Sequence, residues 1–159
     1  MTSNFRVLGA GVWGLAFSDY LLKLGHNVEI FCRDTNLSNR DIKGLALSHI
    51  SNNNIKSLGA LDTQKSNDEI NIIAVNSKGF NELLNEHESY FGSLDKLISL
   101  TKGLDHISGK YFSDYVFDMF SNIKKYGLIS GPSFAKDLCH EKNISCLLYT
   151  SDAADEVDR

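Results

Sequence analysis

Three glycines near the start of the chain have the spacing of a phosphate-binding turn. The segment Gly9-Ala10-Gly11-Val12-Trp13-Gly14 fits the pattern G-x-G-x-x-G. In this pattern the first glycine permits a tight turn, the second lets the backbone approach a pyrophosphate, and the third lets a helix pack closely on a strand. The phosphates lie at the N-terminus of that helix, where backbone N–H groups lack partners. The segment therefore predicts a site for a dinucleotide, NAD or NADP.

Two charged residues, Arg33 and Asp34, follow the second predicted strand. A residue at this place in a dinucleotide-binding unit contacts the adenosine ribose. A carboxylate pairs with the 2′-hydroxyl of NAD, whereas a guanidinium suits the 2′-phosphate of NADP. Because both types are present, the sequence leaves the choice of cofactor open. An exposed charge pair in a loop is the alternative interpretation.

A lysine, Lys102, follows a later predicted strand. Open α/β sheets bind ligands at the carboxyl ends of their parallel strands. This position favours a functional lysine over an ordinary solvated loop lysine.

The segments that must position these residues alternate between strand and helix patterns. Short apolar runs predict strands, and apolar residues at helical spacing predict the helices between them. The expected strands are 5–8, 27–32, 71–75, 97–100 and 128–130, and the expected helices are 13–24, 38–47, 80–87 and 111–123. This alternation predicts an α/β domain with a doubly wound parallel sheet, that is, a Rossmann-like domain.

Composition limits the functional class of the 159-residue chain, which is 42% hydrophobic and 23% charged. That length suits one globular core. The net charge is −4 and the basic residues are scattered, so a nucleic-acid partner is not expected. The sequence has neither a signal peptide pattern nor a run long enough to span a bilayer, and we expect a cytoplasmic protein. Three cysteines without a Cys-x-x-Cys pair indicate neither a disulfide framework nor a zinc site.

Three motifs resemble the bacterial-type NAD(P)-dependent glycerol-3-phosphate dehydrogenases. They are the segment Gly9–Gly14, the segment Thr101-Lys102-Gly103-Leu104, and the segment Gly131-Pro132-Ser133-Phe134-Ala135-Lys136. Their order and spacing agree with the family, and the resemblance runs from about residue 5 to about residue 145. The chain departs from the family at Asn76, where proline is common.

The resemblance implies a reaction and a set of roles. The reaction is the NAD(P)-dependent interconversion of sn-glycerol 3-phosphate and dihydroxyacetone phosphate, which supplies the backbone of phospholipids. Lys102 would lie between nicotinamide and substrate, where its ammonium polarises the C2 oxygen of dihydroxyacetone phosphate. Gly131 and Ser133 would bind the substrate. The residues implied to contact the dinucleotide, besides the glycines and Lys102, are Val12, Trp13, Arg33 and Ala135.

Family members continue into an all-helical domain that supplies a general base lysine, an aspartate and an Arg-Asn pair for the substrate phosphate. We expect this domain to be absent from the present chain. Residues 146–159 resemble the translation of a transposon-end adapter used in sequencing libraries. The expected organisation is therefore an NAD(P)-binding domain of residues 1–145 and a non-native tail of residues 146–159.

Several functional interpretations remain open from the sequence. The full-length parent would be a dehydrogenase. A homodimer is one of the assemblies that it could form. The chain as it stands would bind the cofactor without catalysis, as a nucleotide-binding module. Another Rossmann reductase, of the 3-hydroxyacid or ketopantoate type, would share the glycine turn but should lack the other two motifs.

Overall fold

The computed structural model describes residues 1–36, 45–63, 69–105, 107–131, 135–139 and 147–150. Within these residues one sheet has the strand order β3-β2-β1-β4-β5-β6-β7. The strands are β1 (Asn4–Leu8), β2 (Asn27–Cys32), β3 (Ile55–Ser57), β4 (Glu69–Ile73), β5 (Lys96–Ser99), β6 (Lys125–Ser130) and β7 (Leu147–Thr150). All neighbours pair in parallel except β6 and β7, which are antiparallel.

Helices cover both faces of the sheet. They are α1 (Val12–Lys23), α2 (Ser77–Glu86), α3 (Glu88–Phe91), α4 (Phe112–Met119) and α5 (Ala135–Cys139). Because successive side chains of a strand point to opposite faces, each central strand contributes to two separate apolar clusters. Val7 packs in the cluster with Leu15 of α1, whereas the next residue, Leu8, packs in the cluster with Phe80 of α2. The predicted doubly wound α/β sheet is confirmed.

The strand order creates a crevice between β1 and β4. From β1 the chain first builds outward through β2 and β3, and then returns to add β4, β5 and β6 on the other side. The helices that follow these two strands, α1 after β1 and α2 after β4, pack on opposite faces of the sheet. Open α/β sheets bind ligands at such a switch point. The glycine turn directly follows β1, so the fold puts it at this crevice.

Two predicted helices differ from the structure. The helix expected over 111–123 ends at Met119, because Phe120 has φ −129° and ψ 89°. Phe120 and Ile123 are nevertheless buried from the turn that follows, so their apolar character mimics helical periodicity.

The other difference concerns residues 38–47. Residues 37–44 lie outside the described part of the chain, and Leu45–Leu47 are not helical. The segment that follows is held by the buried carboxylate of Asp19 on α1, which accepts the backbone N–H groups of His49 and Ile50 at 2.7 and 3.1 Å. These contacts stabilise a non-helical backbone next to α1.

Strand β7 lies beyond the boundary expected after residue 145. Its backbone pairs with β6, with Leu148 opposite Ile129. Leu147, Leu148 and Tyr149 remain 56%, 61% and 50% exposed, so the strand adds little to the apolar core. The boundary itself, and the foreign origin of residues 146–159, stay predictions.

No helix in the described part of the chain has the length and apolar character that crossing a membrane would require.

Candidate functional site

Two of the three motif glycines are required by the fold itself. Gly9 has φ +121°, a conformation that L side chains rarely adopt, and a Cβ there would lie 2.5 Å from the carbonyl oxygen of Ala74. At Gly14 a Cβ would lie 2.1 Å from the carbonyl oxygen of Gly9. Any side chain at either position would push α1 or β4 away from the turn. These two glycines therefore let strand, turn and helix pack closely.

Gly11 has a different environment. A Cβ at this position would meet nothing within 4 Å, and its φ of −74° and ψ of 178° suit any residue. The packing of the chain therefore does not require glycine here. A bare backbone next to open space is what the close approach of a pyrophosphate would require.

Helix α1 begins at this bare backbone. Gly11 is its N-cap, no side chain caps the helix, and its first turn contains no acidic residue. The first amides of a helix have no intrahelical partner, and the helix dipole makes this end electropositive. Val12, at the first helical position, is 45% exposed, while Trp13 packs against a small buried cluster that contains Ala135 of α5. The structure thus brings two predicted site residues, Trp13 and Ala135, into one cluster.

A cleft of about 530 Å³ opens at the carboxyl ends of β1, β2 and β4. Its walls combine the glycine turn, the residues after β2 and the first turns of α2. The cleft is lined by Gly9, Ala10, Gly11, Cys32, Arg33, Asp34, Leu58, Ala74, Val75, Asn76, Gly79 and Leu83. Four predicted site residues therefore share one cavity, namely Gly9, Gly11, Arg33 and Asp34.

Arg33 is held by two carboxylates of α2. Its Nη2 lies 3.0 Å from Oε1 of Glu82 and 3.2 Å from Oε2 of Glu86. The hydrogen bonds to Glu82 and Glu86 raise the pKa of the Arg33 guanidinium above its ordinary value. The neighbouring carboxylate of Asp34 accepts the backbone N–H of Asn36 at 2.9 Å. Both charged residues after β2 thus face the cleft with partners already in place.

Lys102 lies after β5, close to the residue that follows β6. Its Nζ donates a hydrogen bond to the carbonyl oxygen of Gly131 at 2.8 Å. The hydroxyl of the preceding residue, Thr101, donates to the carbonyl oxygen of Val75 at 2.8 Å, and Val75 lines the cleft. The predicted catalytic lysine therefore contacts Gly131 directly, and its neighbour Thr101 contacts a residue that lines the cleft. Ser133 lies outside the described residues.

Asp105 fixes the loop that carries Lys102. Its buried carboxylate accepts hydrogen bonds from the backbone N–H and the hydroxyl of Ser108, both at 2.6 Å, and from Nδ2 of Asn81 on α2. The bonds from Ser108 lower the pKa of Asp105 below its ordinary value. This carboxylate connects the lysine loop to the helix that walls the cleft.

Several residues that organise the site were not predicted from the sequence. Asn76 accepts the backbone N–H of Gly79 at 2.8 Å and so caps α2. Asparagine directly before apolar residues at helical spacing is a known N-cap pattern, so this cap could have been predicted from the sequence. The sequence also shows that Glu82 and Glu86 lie one helical turn apart. It could not show that they pair with Arg33, because Arg33 is distant in sequence. Nothing in the local sequence distinguishes Asp105.

Comparison with known proteins identifies the family. Residues 4–155 match the family described as NAD-dependent glycerol-3-phosphate dehydrogenase N-terminus. The chain belongs to this family. The match decides against the 3-hydroxyacid and ketopantoate reductases as the family of this chain, and it extends past residue 145.

Individual relatives are glycerol-3-phosphate dehydrogenases as well. The chain is 30% identical over 167 residues to a glycerol-3-phosphate dehydrogenase [NAD(P)+] of Francisella tularensis subsp. novicida, an alignment that covers 97% of this chain and 48% of the relative. The chain therefore spans about half the length of the curated relatives it matches.

Solved structures show the same fold. A glycerol-3-phosphate dehydrogenase of Coxiella burnetii superposes with a TM-score of 0.71 at 20% identity, covering 99% of this chain and 49% of that one. The enzyme of Plasmodium falciparum superposes with a TM-score of 0.68 at 22% identity, covering 99% and 48%.

Proposed function

We propose that this chain binds NAD(P) across the crevice between β1 and β4, as the cofactor-binding part of a glycerol-3-phosphate dehydrogenase. The observation that carries the proposal is the start of α1, where Gly11 faces open space and neither a side-chain cap nor an acid satisfies the first amides. A pyrophosphate at this position would accept those N–H groups and lie at the electropositive end of the helix dipole. The residues present therefore fit the cofactor.

The adenosine end of the cofactor would occupy the cleft beside β2. Leu58 and Leu83 offer apolar contact for the adenine ring, and Arg33 and Asp34 lie where the ribose is expected. Trp13 and Ala135 would contact the cofactor further along the same edge. Val12, exposed on the first turn of α1, would approach it from the helix side.

Equilibrium titration with NADH and NADPH tests this binding site, with substitutions at two glycines. Gly11→Val should fold normally and lose affinity by at least tenfold, because its side chain would fill the space of the pyrophosphate. Gly14→Val should lower the melting temperature, because the new side chain would clash with the Gly9 carbonyl. Gly59→Val, at an exposed glycine outside the cleft, is the matched control and should bind as the wild type does. Equal binding by wild type and Gly11→Val would refute the site.

The chemistry that we propose is hydride transfer between the nicotinamide ring and C2 of the substrate. The bound cofactor supplies or accepts the hydride. Lys102 would place its ammonium beside the C2 oxygen of dihydroxyacetone phosphate and stabilise the negative charge that develops there. The carbonyl oxygen of Gly131 orients this ammonium now, at 2.8 Å, and Gly131 and Ser133 would provide backbone and hydroxyl contacts to the substrate.

The chain alone should bind the cofactor without appreciable catalysis. It corresponds to about half of its relatives, and we propose that the remaining half supplies the phosphate site and the general base. Loss of both positioning and acid–base groups typically removes several orders of magnitude in rate. An assay of NADH oxidation with dihydroxyacetone phosphate tests this. Turnover by the 159-residue chain at a rate typical of enzymes would contradict the assignment of roles.

Location and assembly complete the proposal. We propose that the protein acts in the cytoplasm, which fractionation of the cells that make it would test. The full-length parent is proposed to be a homodimer, which measurement of its mass in solution would test.

A further inference from the structure

We propose that Glu82 and Glu86 select against the 2′-phosphate of NADP, so that this site binds NADH more tightly than NADPH. The inference rests on the proposed dinucleotide site and assigns its specificity to two residues of α2. It is drawn from the ion pairs that Arg33 already makes.

The two carboxylates converge on one nitrogen. Residues four positions apart lie on the same face of a helix, one turn from each other. Glu82 and Glu86 therefore both reach Nη2 of Arg33, at 3.0 and 3.2 Å. Leu83, beside Glu82, lines the cleft, so these acids lie at its rim rather than on a distant surface.

The charges around the expected ribose position sum to a negative value. Among the described residues that line the cleft, Arg33 is the one with a cationic side chain. With Glu82 and Glu86 paired to Arg33 and the carboxylate of Asp34 next to it in the cleft, these four side chains carry one positive and three negative charges. A 2′-phosphate adds about two more negative charges at neutral pH and would have to compete with both carboxylates for the same guanidinium. A 2′-hydroxyl is neutral and can donate a hydrogen bond to a carboxylate instead.

The two carboxylates have one basic residue in their own helix, Lys78 in its first turn. They lie in the C-terminal half of α2, where the helix dipole is unfavourable to acids, and the last turn contains no basic residue. Arg33 is the cation to which both carboxylates are paired, and turning away from it would leave the two acids, one turn apart, without this counter-charge. Because Glu82 and Glu86 are 52% and 49% exposed, solvent screens these pairs and the effect on affinity should be moderate.

Titration of the full chain with NADH and NADPH tests the inference, using Glu82→Gln, Glu86→Gln and the double variant. Each substitution should tighten NADPH binding about threefold, and the double variant about tenfold, the scale of an exposed ion pair. NADH binding should change less than about twofold. The gain should shrink at high salt, because exposed charges are screened. Asp118→Asn, which removes an exposed carboxylate paired with Lys110, is the control for net charge and should leave both affinities unchanged.

The outcomes separate this inference from the proposed function. If the wild type binds both dinucleotides and the glutamine variants leave the ratio of the two affinities unchanged, the inference is wrong and the binding site stands. An equal gain for NADH and NADPH would also overturn it, because the 2′-phosphate would then not be the group that is sensed. A wild type that binds neither dinucleotide would refute the proposed function and this inference together. Melting temperatures of all variants verify that a change in ratio does not come from unfolding.

Discussion

The ammonium of Lys102 donates a hydrogen bond to the carbonyl oxygen of Gly131 at 2.8 Å and thereby joins the loops that follow two adjacent strands, β5 and β6. The two residues are 29 positions apart in sequence. Their contact brings a positive charge and a bare backbone to the same edge of the sheet as the glycine turn. We propose that this pair forms the boundary between the cofactor cleft and the substrate.

Replacement of Lys102 by alanine in the full-length enzyme should lower kcat for dihydroxyacetone phosphate by about 10²- to 10³-fold, the scale of losing one electrostatic contact to developing charge. The affinity for NADH, measured separately by titration, should change little. Lys102→Arg keeps the charge but changes its geometry, and should retain more activity than alanine. An alanine variant with a rate within threefold of the wild type would remove Lys102 from the chemistry.

Deletion of residues 146–159 should change the melting temperature by less than about 3 °C, which corresponds to about 1 kcal/mol for a chain of this size. The reason is that the side chains of Leu147, Leu148 and Tyr149 are half or more exposed on an edge strand. Thermal unfolding followed by circular dichroism gives the answer. A loss of many degrees would mean that β7 is an integral part of the domain and that the boundary after residue 145 is wrong.

Acid should destabilise the loop around Asp105. Since hydrogen bonds from Ser108 lower its folded pKa, the stabilisation is fully present above the unfolded value of about 3.9 and is lost as the pH falls through the lower folded value. Urea unfolding at several pH values between neutral and acid should show this dependence in the wild type and less of it in Asp105→Asn. Asp95→Asn, at an exposed carboxylate, serves as the control. Identical pH profiles for wild type and Asp105→Asn would contradict the role of this carboxylate.

The sequence was sufficient to predict the five inner strands of the sheet, because they are apolar runs, whereas the two edge strands, β3 and β7, were not predicted. Strand β2 has the predicted bounds, Asn27–Cys32, and β1 differs by one residue at its start. The sequence was insufficient where tertiary contacts decide local structure. The segment after Leu47 follows the buried carboxylate of Asp19, 30 residues earlier, and no local pattern reports such a contact.

The site was predictable to a similar extent. The glycine motif predicted the turn and a separate role for each glycine, but it could not show which backbone atoms crowd Gly9 and Gly14 and leave Gly11 facing open space. That distinction depends on how close β4 and α1 approach the turn. Likewise, Arg33 was predicted as a ribose contact. Its pairing with Glu82 and Glu86 could not be predicted, because it depends on the packing of α2 beside the end of β2.

Whether backbone amides at the start of α1 hold the cofactor pyrophosphate can be measured by NMR of the ¹⁵N-labelled chain. Addition of NADH should shift the amide resonances of Gly11, Val12 and Trp13 first and most strongly, with smaller shifts for Arg33 and Val75 along the cleft. ADP, which carries the diphosphate but not the nicotinamide, should reproduce the shifts at the start of α1. Saturable binding of NADH that leaves these amides unmoved, with shifts confined to other parts of the chain, would contradict the proposed binding site.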